Sequence, residues 1–145
     1  MGIANLSHVL KIFRGSDLSA DEESDLFREV LLMTLSRASS SDANTHPVEV
    51  ATVRKIILEA TGEDVSDADI RVAAASELYE AASLDKYLSS CGRQLSPSSR
   101  VSTVHALAEV IKSDTQVTSR EIKFFDMVAR ALLVTPAELA GLVAD

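Results

Sequence analysis

The sequence of 145 residues has one cysteine, no tryptophan and only 4% aromatic residues. The lone Cys91 has no partner for an internal disulfide, which fits a reducing compartment. With so few rings, the core must be built from Leu, Val, Ile and Ala. No apolar run approaches the roughly 18 residues that a membrane-spanning helix needs. The opening stretch MGIANLSHVLKIFRG lacks the apolar centre and small-residue cleavage site of a secretory signal, and Ser7 misses the myristoylation spacing. A cytoplasmic protein is expected. Positive charge is also scarce: the net charge is −8 and the pI about 4.8. Such a surface repels phosphate backbones and anionic lipid, so neither nucleic acid nor membrane is an expected partner. Cations and basic protein surfaces remain. There is no Gly-x-Ser-x-Gly, no phosphate loop and no His-Glu-x-x-His. His8, His46 and His105 have no short metal spacing to one another, and Cys91 has only Arg93 nearby to activate it. These absences argue against an enzyme.

What is present reads as one helical domain spanning residues 1–145. A chain of this length buries roughly 68–70% of its unfolded surface, enough for a core without staples. Hydrophobic residues make up 46% and charged residues 25%, a globular balance. Ile3, Leu6, Leu10 and Phe13 recur at helical spacing before Gly15, predicting an N-terminal amphipathic helix over 1–15. Ser19 with Glu22 forms a capping box for a second, central helix, and Asp21, Glu22 and Glu23 suit its positive end. Pro47 suits the first position of a third helix that stops at Gly62. Ser66 with Asp69 opens a fourth, and Leu84, Tyr87 and Leu88 mark a short fifth ended by Gly92. Ser96 with Pro97 starts a sixth, with Val101, Val104, Ala108 and Ile111 inward. Thr118 starts a seventh, with Ile122, Phe125, Val128 and Leu132 inward. Thr135, Pro136 and Glu138 open an eighth. No segment alternates with a period of two, so no sheet is expected. The prediction is an all-α compact bundle of seven to eight helices.

The sequence also repeats itself. A shift of 72 places Asp42 on Asp114 and Glu49 on Glu121 (114 − 42 = 72). It also places Leu35 on Leu107, Val50 on Ile122 and Val53 on Phe125. The match resumes after a change of three, with VSDADI from Val65 on VTPAEL from Val134. Each unit reads helix, acidic loop, helix, capped turn, helix. Two such units predict a pseudo-twofold pair, because one alone cannot bury its apolar faces.

The two loops carry the candidate site. Their Asp-to-Glu spacing resembles part of a calcium loop, but the register fails. With Glu121 at position 12 of an EF-hand, positions 1 and 3 are Val110 and Lys112, and position 6 is Thr115. The first copy places Ala38, Ser40 and Ala43 there. An EF-hand is excluded. Thr118 and Glu121 form a capping box, His46–Glu49 a weaker one, and Asp114 suits an Asx-turn. Read together, Asp42, Glu49, Asp114 and Glu121 also offer carboxylates to a hard divalent cation, provided the loops lie side by side.

The stretch ALAEVIKSDTQVTSREIKFFDMVARALLVTPAEL, Ala106–Leu139, resembles the TerB tellurite-resistance family. Asp114, Val117 and Glu121 match its loop pattern of Asp-Gly, a hydrophobic residue and then Glu at the helix start. Asp42 and Glu49 match more loosely. Ala43 and Thr115 stand where the family has Gly, and Thr45 stands at the first loop's hydrophobic position. The resemblance covers about residues 20–140. It implies a duplicated helical domain and a role in metal-oxyanion or general stress response exercised through binding, with no established reaction. The acidic surface offers the alternative of a metal-free interaction scaffold that meets a protein with a basic surface.

Overall fold

A computed structural model describes residues 19–39, 47–74, 83–113 and 117–142. These residues form seven α-helices and no strand. They are α1 (Ala20–Ser39), α2 (Pro47–Thr61), α3 (Asp67–Ala74), α4 (Leu84–Gly92), α5 (Pro97–Lys112), α6 (Ser119–Ala131) and α7 (Pro136–Leu139). The all-α bundle expected from the sequence is observed. The amphipathic stretch 1–15 lies outside the described residues.

The helices begin where their caps dictate. Ser19 Oγ accepts from the Glu22 amide at 3.2 Å, and Glu22 Oε1 accepts from the Ser19 amide at 3.1 Å. Ser66 and Asp69 exchange the same pair of bonds ahead of α3. Thr118 with Glu121 and Thr135 with Glu138 do so ahead of α6 and α7. Each reciprocal pair satisfies two amides that the helix start leaves without a partner. α5 has only half of such a pair: Ser96 Oγ accepts from the Ser99 amide, but Ser99 has no carboxylate to return. Glu23 of α1 supplies it. Its Oε1 accepts from the Ser96 amide at 3.1 Å and from Ser99 Oγ at 2.9 Å. Two positive helix ends thus share one carboxylate.

α1 is the central element. Every residue from Glu29 to Ser36 is buried, and Leu26, Val30, Leu31, Met33 and Leu35 have no exposed surface. Helices α3, α5 and α2 pack around it. The repeat is visible in the element order. α2 begins at Pro47 and α6 at Ser119, 72 residues on (119 − 47 = 72), and α3 begins at Asp67 and α7 at Pro136, 69 on (136 − 67 = 69). α1 packs on α5, while α1 reaches α6 and α2 reaches α5. Such reciprocal crossing contacts are those a pseudo-twofold relation requires. α4 sits between the units in the chain and packs on α6. A Cβ added at Gly92 would stand 3.4 Å from the Leu132 backbone, so the end of α4 lies against the end of α6.

One local expectation is corrected, and one turn is unusual. Ile122, read as facing inward, is 51% exposed. Its partner in the repeat, Val50, is 1% exposed, so one position is closed in the first unit and open in the second. The turns after α2 and α6 both need a left-handed residue. Gly62 fills the first at φ 76°, but Leu133 fills the second at φ 59° with its side chain in solvent. The Leu133 and Val134 amides donate to Arg130 and Ala129 carbonyls at 3.1 and 2.9 Å, and these bonds hold the conformation.

Candidate functional site

Of the four carboxylates expected to form the site, Asp42 and Asp114 lie outside the described residues. Glu49 is the third residue of α2, and its side chain is outside the described set. Glu121 holds the matching third position of α6, so the repeat places both glutamates at the same point of equivalent helices. Glu121 is 9% exposed. Its Oε1 accepts from the Thr118 amide and from Thr118 Oγ1, both at 2.9 Å, and its own amide donates to Thr118 Oγ1 at 3.1 Å. The work of this carboxylate in the described structure is to cap a helix. Among the described residues, no group of three or more His, Cys, Asp or Glu side chains is placed to hold a metal ion.

The remaining titratable groups fit structural roles. Cys91 is fully buried. Burial pushes its thiol well above the usual range; a hydrogen bond with Tyr87 opposes this and the nearby Glu29 charge adds to it. A thiol held in that form is a poor nucleophile. His105 Nε2 lies 3.3 Å from the Leu139 carbonyl and joins α5 to α7; His8 and His46 lie outside the described residues. Arg54 grips Asp64 with Nε and Nη2 at 2.8 and 3.1 Å and reaches Asp67 at 3.7 Å, tying α2 to the turn before α3.

Sequence reasoning missed two carboxylates. Glu29 is 6% exposed, on the side of α1 that neighbours Cys91. Its signal was spacing alone, three residues after Leu26 and four before Met33, inside the apolar face. Glu23 was read with the acidic cluster at the start of α1. The signal for its longer reach was a deficit elsewhere, the absence of Glu or Asp three residues after Ser96.

Charge is unevenly divided. The described first unit, 19–39 with 47–74, holds five Lys/Arg and eleven Asp/Glu, a balance of −6 (5 − 11 = −6). The described second unit, 97–113 with 117–142, holds five and four, a balance of +1 (5 − 4 = +1). No described helix is long and apolar enough to cross a membrane.

These features define a duplicated all-helical module in which two equivalent helices, α2 and α6, each carry a glutamate at the third position. The family model for Tellurite resistance protein TerB matches residues 28–143, most of the chain. The protein belongs to the TerB family. No match is found among curated proteins or among solved structures.

Proposed function

We propose that this protein is a non-enzymatic, stress-associated module of the tellurite-resistance type, acting in the cytoplasm by binding a divalent cation through Asp42, Glu49, Asp114 and Glu121. The observation that carries the reading is the duplication. Glu49 and Glu121 occupy the same position of two helices that start 72 residues apart, each preceded by an Asp at the same distance. Capping uses one oxygen of Glu121, and a carboxylate has further acceptor capacity. Thermal melting in EDTA, then with calcium, magnesium, manganese or zinc, tests this. Metal at a hundred times its Kd adds about 2.7 kcal/mol of stability, because it binds only the native state. For a chain of this size that is a rise of roughly 5–11 °C. The rise is expected to vanish in Asp114→Ala, and no shift with any of the four metals sinks the cation reading.

A second reading, a metal-free interaction scaffold, is favoured by the engagement of Glu121 as a cap and by the charge of the first unit. Its exposed carboxylates include Asp21, and also Asp25, Glu63, Asp64 and Asp67, which share only Arg28 and Arg54 between them. They suit a partner with a basic surface, and that complex would weaken with salt because exposed charge pairs are screened.

A further inference from the structure

We draw no further inference here: the strongest candidate, the apolar depression between the end of α5 and the start of α6 lined by Ile111, Val117, Ile122 and Phe125, has Glu109 and Asp126 offsetting Lys112 and Lys123 beside it, and nothing in the structure shows what covers it.

Discussion

Replacing Glu23 should loosen the end of the bundle where α1 and α5 begin together. Its carboxylate accepts from the Ser96 amide and from Ser99 Oγ, closing a capping box whose members are 73 and 76 residues away. Removing a helix cap costs about 0.5–2 kcal/mol, and hydrogen bonds to a charged group sit at the upper part of the usual range. The site is partly open to water, which can replace the lost acceptor. We therefore expect Glu23→Ala to cost about 1–2 kcal/mol, with Tm falling roughly 2–8 °C for a chain of this size. Glu23→Gln keeps an acceptor but loses the charge that serves two helix dipoles, and should fall between. The decisive assay is a double-mutant cycle with Ser99→Ala, read by urea unfolding. Residues joined by a hydrogen bond give a coupling of about 0.5 kcal/mol or more. Additive losses, or a Glu23→Ala midpoint indistinguishable from the parent, would refute the shared cap.

Other perturbations follow from single side chains. Leu133→Gly should stabilise the protein by up to about 1 kcal/mol, measured by denaturant unfolding: a left-handed non-glycine residue costs roughly 1–2 kcal/mol, and the added chain entropy of glycine returns only part of that. Thr118→Ala should cost about 1 kcal/mol, because it removes the acceptor for the Glu121 amide and one donor to the Glu121 carboxylate. Cys91 should resist a thiol reagent at neutral pH in the folded chain and react fully in denaturant; fast labelling of the native protein would contradict its burial and raised thiol. Asp64 is held below its usual range by its hydrogen bond with Arg54, against the opposing effect of desolvation and with help from the Arg54 charge. Its folded pKa is thus lower than the unfolded value of about 3.9. The stability it adds is present above that value and lost as pH falls through the folded pKa. The stability gap between parent and Asp64→Asn should be small near neutrality and close below about pH 4 in an acid titration.

How far the sequence foretold this structure depends on how local each signal was. Capping boxes are local, within four residues, so the starts at Ser19, Ser66, Thr118 and Thr135 were all legible. Helical spacing is local too, and it marked α1 as central from Leu26, Val30 and Met33, widened by Phe27, Leu31 and Leu35, although Arg37, read on the same face, is exposed. Burial of a residue at the edge of a stripe depends on the neighbouring helix instead. Ile122 and Val50 have the same spacing in equivalent helices, yet one is open and the other closed. Leu133 was hidden because left-handed turns are recognised by their glycine, and here hydrogen bonds hold a leucine in that conformation. Of the candidate site, the sequence placed Glu121 correctly at a helix start. Whether four loop carboxylates converge is a question of tertiary distance, which spacing along the chain does not encode.

The duplication explains how one fold can offer two unlike surfaces. Two copies of a helix–loop–helix must keep the positions that bury against each other, and they do. Leu35 and Leu107, aligned in the repeat, are both fully buried. Positions outside that shared seam are free to diverge, and charge has done so, with −6 on one described unit and +1 on the other. Val50 and Ile122 divide the same way. A cation site across the two loops would need the units to stay alike at Asp42 and Asp114 and at Glu49 and Glu121. The test of that likeness is Asp114→Ala, which should abolish metal stabilisation while the fold is kept.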